Sequence, residues 1–267
     1  MAPDLLSKPD IHRESVDKPY RGAVLSGKFA CLTYHIIGAG SNQYSMPMSQ
    51  FSAHLELLKR SSYLVGDFEH LELAVHRLTF TPNTCVVLTI DDGHESSMRA
   101  ADLLQSFGYR ATFFVTRDRS LNKANYIREA QIRELRKAGF SVGTHGTTHH
   151  KLTRMPVKDY VAELAESKKW LEDVIGESVP YMAAPGGYIN RRILRKAYEC
   201  GYRLVGTCEE RMNCVHNMTL PGAVNRVNIR QHFSLDTFRK VIEGSPGFYL
   251  GRQIRMAALA VPKYFLR

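Results

Sequence analysis

Long apolar runs are what this sequence most plainly lacks. No segment approaches the roughly 20 apolar residues in a row that a membrane-spanning helix needs. The stretch from Met1 to Tyr20 is polar and charged, broken by Pro3, Pro9 and Pro19, and carries no apolar signal core. Cysteine is sparse and unpatterned: Cys31, Cys85, Cys200, Cys208 and Cys214 form an odd set with no CxxC spacing, which argues against a disulfide scaffold and a structural zinc site. Unpaired thiols suit a reducing compartment, so a cytoplasmic protein is the expectation. Internal repeats, low-complexity tracts and continuous basic blocks are also missing. The net charge is +10, but the Lys and Arg are scattered, and no nucleic-acid partner is expected. Such a charge suits an anionic polymer, a nucleotide-linked sugar or an acidic membrane face equally well.

What the 267 residues do contain is an alternation of strand-like and helical segments. Phe29–Tyr34 reads as a strand. Phe51, Leu55 and Leu58 recur at helical spacing. Thr84–Ile90 (TCVVLTI) is β-branched, uncharged and long enough to cross a core. Helical patterns follow near 95–107, 129–138, 157–175, 190–200 and 235–242. Between them lie strand-like runs at Ala111–Thr116, Phe140–Gly143, Tyr181–Ala184, Arg203–Gly206 and Arg226–Ile229. This pattern predicts an α/β fold: a distorted (β/α) barrel of about seven parallel strands with helices outside. Residues 1–27 read as an irregular lead-in, 28–250 as the barrel, and 251–267 as a basic, apolar tail packing on it. A lesser expectation is contact of that tail with a membrane surface.

The chemistry is concentrated at strand ends. Thr89-Ile90-Asp91-Asp92-Gly93 puts two carboxylates after the most apolar strand, where they are costly unless a cation or a pocket receives them. The C-terminal strand ends of a (β/α) barrel build its active site. Neighbouring side chains diverge there, so one carboxylate can hold a metal while the other faces the attacking water. The bland alternative is a turn capping a helix at Ser96 or Ser97. His145 and His149 follow the strand Phe140–Gly143 at i, i+4, a spacing at which one helical turn would bring both rings to the same side. A surface loop rich in His is the alternative. Two His and one Asp leave positions open for water and substrate, which is the catalytic pattern of metal ligation.

TIDDG (89–93) and HGTTHHKL (145–152) resemble the T-F-D-D-G and H-[ST]-x-x-H-x-x-L motifs of the polysaccharide deacetylases, carbohydrate esterase family four. Leu32-Thr33-Tyr34-His35 and the stretch Met48–Tyr63 are similar to its exopolysaccharide deacetylase branch. The resemblance implies Asp91 as general base, Asp92, His145 and His149 as ligands of one divalent ion (zinc, with cobalt or nickel as substitutes), and an N-acetylated sugar or glycan as substrate. It covers about residues 29–243. Two motifs depart from the pattern. Ala183 stands where the family places an arginine that orients the base, and Arg226, in a segment similar to P-R-[VI]-N, is the candidate to replace it. Pro185, Gly186 and Gly187 retain a tight loop that can approach substrate. The family's L-x-x-H acid motif is missing, which leaves His232, His35 or the protonated Asp91 to protonate the leaving amine. Backbone N–H groups near Gly186 or Gly187 are candidate donors to the oxyanion. The expected function is removal of an N-acetyl group from an amino sugar or glycan precursor. The rival expectations are a hydrolase of a non-sugar C–N bond and a non-catalytic glycan-binding relative.

Overall fold

The computed structural model describes residues 27–38, 42–77 and 85–260, with side chains to Ile254. The lead-in up to residue 26, Thr84 and the end of the tail, 261–267, lie outside the described residues. β1 (Lys28–Tyr34) leads through short strands β2 (Ile36–Ile37) and β3 (Ser45–Met46) to α1 (Met48–Arg60). Then come β4 (Leu64–Gly66), α2 (Phe68–Arg77), β5 (Cys85–Ile90), α3 (Ser96–Ser106), β6 (Thr112–Val115) and α4 (Arg117–Asn122). α5 (Glu129–Lys137), β7 (Ser141–Thr144), α6 (Val157–Ile175), β8 (Tyr181–Ala183), α7 (Arg191–Glu199) and β9 (Leu204–Gly206) continue the alternation. β10 (Asn213–Cys214), β11 (Gly222–Val224), β12 (Val227–Asn228), α8 (Leu235–Ile242) and α9 (Pro246–Ala260) complete the order.

The main sheet runs β1-β5-β6-β7-β8-β9-β11 in parallel, while β10 pairs antiparallel with β1. It closes because one interrupted strand serves both edges. β11 pairs with β9, and after Asn225 and Arg226 the chain resumes as β12 beside β1. The result is the nearly closed (β/α) barrel that the alternation predicts. β5 is its centre, with all six residues buried and β1 in register from Phe29↔Cys85 to Tyr34↔Ile90.

Period-two alternation divides these strands into two faces. Phe29, Cys31, Cys85, Val87, Phe114, Ala183, Leu204 and Val224 form one buried cluster inside the barrel. Leu32, Tyr34, Val86, Leu88, Ile90 and Phe113 belong to a second cluster shared with the helices. α1 contributes Phe51, Leu55 and Leu58 to it, each fully buried and each stabilising by about 1.5–3 kcal/mol relative to exposure. The helix ends are marked by local chemistry. Asn190 accepts from Ile193 N at 2.9 Å, Ser234 accepts from Thr237 N at 3.1 Å, and Gly176 stops α6 at φ 73°.

α2 lies across the N-terminal ends of β6 to β9. Phe68 N donates to Thr112 Oγ1 at 2.9 Å, and Tyr181 Oη donates to Glu72 Oε2 at 2.6 Å. At the far end of the chain, the tail boundary expected after residue 250 falls inside α9. That helix is tied down by Tyr249, whose hydroxyl donates to Val241 O at 2.9 Å, and by an Arg252–Glu210 ion pair. Leu250 and Ile254 remain exposed on it. No helix among the described residues is long and apolar enough to cross a membrane.

Candidate metal centre and active site

The inward register that places Val87 and Thr89 inside the barrel carries on to Asp91 at its C-terminal mouth. The same register on β1 brings His35 beside it, and on β7 it brings His145. Arg226 enters from the break between β11 and β12. Asp91 and Arg226 are both buried, and their groups meet two-pronged: Nη1 to Oδ1 at 2.8 Å and Nη2 to Oδ2 at 3.0 Å. The guanidinium has further acceptors in Thr207 O at 3.1 Å and Thr89 Oγ1 at 3.2 Å. Gly206 makes room for it, since a Cβ there would stand 2.7 Å from Arg226 Nε. Burial alone would raise the Asp91 pKa. The Arg226 guanidinium, assisted by the charges of His145 and His35, holds it below the usual carboxylate value instead.

Asp92 takes the opposite direction through a left-handed backbone, φ 78°. Its Oδ1 lies 2.9 Å from His149 Nε2 and 3.5 Å from His145 Nε2. Asp92, His145 and His149 each offer one ligand atom, all within 4.8 Å of one another. Burial pushes the Asp92 pKa up, but contact with His149 and the charges of His145 and His35 hold it far below normal. His145 is held in one orientation: its Nδ1–H donates to Ala183 O at 2.9 Å, leaving the lone pair on Nε2 facing the carboxylates. Burial pushes its pKa down to about 4, so the ring carries its charge only in acid, the range in which the two carboxylates themselves titrate. Asp92 Oδ1 itself is buried and lacks an aligned hydrogen bond despite these close neighbours. An anionic oxygen left in that condition, facing imidazole nitrogens, fits a divalent cation.

Several expectations change on contact with this geometry. His145 and His149 do not share a helical turn. The segment between them is irregular, with Gly146 at φ 75° and His149 at φ 68°. Glu163 of α6 shapes it, accepting from Thr147 N at 2.8 Å, Thr148 N at 3.0 Å and Thr148 Oγ1 at 2.6 Å. The two rings still converge, with centroids 4.9 Å apart. Asp91 and Asp92 do not cap α3, whose first turn has Glu95 at the cap position without a side-chain bond. His232 is exposed on the loop after β12, its ring packed on Phe233 and not on the carboxylates. His35 is the histidine that the strand register brings to the mouth. It packs against Tyr44 with centroids 5.0 Å apart, and its buried Nδ1 has no hydrogen-bond partner.

Pro185, Gly186 and Gly187 form a single 3-10 turn after β8, with both glycines at positive φ. Gly187 N–H is committed to Ala184 O at 2.7 Å, so it is not available to an oxyanion. The turn's neighbour Ala183 contributes a carbonyl, the one that orients His145. Sequence reasoning passed over three contributors: that carbonyl, Glu163, and Arg119 of α4, which lies against Asp92 and His149.

Comparison with known proteins agrees with this geometry. Residues 80–205 match the family model described as polysaccharide deacetylase. The chain is 26% identical over 200 residues to YxkH of Bacillus subtilis (strain 168), whose name assigns it provisionally to the polysaccharide deacetylases, covering 74% of this chain and 67% of that protein. It is 27% identical over 122 residues to the peptidoglycan-N-acetylglucosamine deacetylase of Bacillus cereus, covering 45% of this chain and 54% of the relative. Among solved structures, the Streptococcus pyogenes deacetylase PplD, in complex with acetate, superposes with a TM-score of 0.73 at 22% identity, over 80% of this chain and 98% of that one. This last likeness is one of fold. The matched segment holds Asp91, Asp92, His145, His149 and the Pro185–Gly187 turn, while His35 and Arg226 come from the strands flanking it. Over residues 80–205, a little under half of its length, the chain is similar to the polysaccharide deacetylase family.

Proposed function

We propose that this protein hydrolyses the amide of an N-acetylated amino sugar, releasing acetate and leaving a free amine. One observation carries the reading: a fully buried arginine grips Asp91 beside a convergent Asp92, His145 and His149. Those three residues would hold a divalent ion, whose chemistry there would be to lower the pKa of a water toward about 7 and to polarise the acetyl carbonyl. Zinc is the proposed ion, with cobalt or nickel as functional substitutes, because a neutral imidazole pair with one carboxylate suits borderline ions.

Asp91 is the general base. Its low pKa keeps it ionised at neutral pH, and Arg226 fixes both of its oxygens so that it takes the proton in one orientation. His35 is placed to protonate the departing nitrogen, standing at the end of β1 next to Asp91 and Asp92, with an imidazole nitrogen that makes no hydrogen bond of its own. Tyr44 beside His35 and the half-exposed Tyr188 beside the Pro185–Gly187 turn are apolar faces against which a sugar ring can lie. The curated relatives named for peptidoglycan substrates make a glycan the first class to try. The five cysteines are all free thiols, which favours a reducing compartment as the place of action.

The test is acetate release from a panel of N-acetylhexosamines and their oligomers and nucleotide-linked forms, with Asp91→Asn alongside. Acetate produced by the wild type and abolished by Asp91→Asn, with bound metal retained, is the expected result. Release of formate or of a ring-opened product from a non-sugar amide, with no acetate from any sugar, would move the chain to a different hydrolase class.

A further inference from the structure

Arg119 lies in α4, the short helix that follows β6, and its guanidinium reaches into the proposed metal centre. Nη1 lies 2.8 Å from Asp92 Oδ1, and Nη2 donates to His149 Nδ1 at 2.9 Å. His149 Nε2 lies 2.9 Å from that same Asp92 oxygen. Arginine, carboxylate and imidazole therefore close a triangle over two of the three ligand residues.

A guanidinium has donors only. Facing Arg119, Nδ1 of His149 must present its lone pair, so the proton of the neutral ring resides on Nε2, directed at Asp92. That is the reverse of His145, where Nδ1–H donates to Ala183 O and Nε2 keeps the lone pair. Ligation through His149 Nε2 needs the proton on Nδ1, where an N–H would then face the N–H of Arg119. Ligation through Nδ1 needs the position that Nη2 takes. By either nitrogen, the guanidinium and a divalent ion exclude one another. The common arrangement, in which an outer residue accepts a hydrogen bond from a ligating histidine and strengthens it, is not open to arginine.

We propose that Arg119 is an internal cation that competes with the divalent ion for Asp92 and His149, keeping the two ligand side chains together and giving way when the ion binds. This rests on the metal-centre reading above. Two features suit the exchange. Asp92 Oδ1 and Arg119 Nη1 touch at ion-pair distance, yet neither has an aligned hydrogen bond, so a cation with better geometry displaces a charge contact rather than a well-made bond. The Arg119 guanidinium also lies over the Tyr126 ring, 5.3 Å from its centroid, a face on which it can remain after leaving the ligands.

The experiment uses the full chain stripped of metal with a chelator, then titrated with Co2+ by absorbance and with Zn2+ against a chromophoric chelator. Arg119→Ala is expected to bind both ions about tenfold more tightly than wild type, equivalent to about 1.4 kcal/mol. Arg119→Lys, which keeps the charge but cannot bridge both partners, should fall between them and serves if the alanine variant does not fold. The stripped alanine variant should melt below stripped wild type, and the two zinc-saturated proteins should melt together. Equal or weaker metal binding by Arg119→Ala would overturn the proposal while leaving the metal centre intact. No binding by wild type or either variant would overturn the metal centre itself, and the proposal with it.

Discussion

Both ends of the barrel bury carboxylates, and the two ends treat them differently. At the base, Asp67 accepts from His70 N and His70 Nδ1 on one oxygen, at 3.0 and 2.6 Å, and from Ser141 Oγ at 2.6 Å on the other. Glu72 is likewise held between Tyr181 and Arg203, at 2.6 and 2.7 Å. Each acid there has its donors, in ordinary backbone geometry. At the mouth, Asp91 is equally well paired, but Asp92 keeps an inner oxygen with close neighbours and no aligned bond. Asp92 and His149 also adopt positive φ, which among the described residues is shared by one other non-glycine residue, Ser62. Left-handed backbone and an oxygen held by charge contacts alone mark the mouth, and aligned hydrogen bonds in ordinary backbone mark the base.

The contrast can be broken first at the two acids themselves. Asp91→Asn should lower turnover by about 10²–10⁴-fold, the usual contribution of a positioned base, without releasing metal. Asp67→Ala at the base should do the reverse. It breaks a buried charge pair and should cost about 3–5 kcal/mol of stability in denaturant titrations, with turnover per folded molecule unchanged. A large rate loss from Asp67→Ala at full stability would erase the distinction.

A smaller effect is expected where the mouth depends on an outer residue. Glu163→Gln keeps the shape but weakens acceptance from Thr147 and Thr148, loosening the segment between the two histidines. Metal affinity should fall by about 10–100-fold with the melting temperature of the metal-free protein nearly unchanged.

The smallest effect is a pH dependence belonging to the base alone. Burial lowers the His70 pKa, but the Asp67 charge and hydrogen bond outweigh it, leaving His70 above its ordinary value of 6.5. Its contribution to stability is therefore complete below 6.5 and is lost as pH rises through the raised folded value. Asp67 is depressed for the complementary reason, so its share is lost only in acid, as pH falls through that lowered value. His70→Asn should flatten the decline in melting temperature on the alkaline side of 6.5. An unchanged slope in the variant would remove His70 as its source.

How much of this was legible in the sequence follows from the kind of contact involved. Strands β5 and β7 were readable because an uncharged β-branched run and its terminal polar residues state both the element and its exit. Strand parity then explains why Asp91, His145 and Arg226 meet. Arg226 was reachable as the basic residue of a late strand once Ala183 left the usual arginine position empty of charge. His232 was misplaced because a histidine near a strand end does not reveal which way the following loop turns, and this one turns to solvent. Glu163 and Arg119 were not readable. One lies within the long α6 and the other within the short α4, and only tertiary packing brings them to Asp92 and the segment that carries the two histidines. α2 was missed for a related reason: Glu69, His70 and Glu72 look like a solvated face, but they close the base of the barrel.

Metal stoichiometry tests most directly whether Asp92, His145 and His149 ligate an ion. Elemental analysis of the purified chain, after stripping and reloading with zinc, should give one ion per wild-type chain and one per Asp91→Asn chain, and His149→Ala should lose it. Undiminished zinc in a folded His149→Ala protein, or none in the wild type, would contradict that ligation.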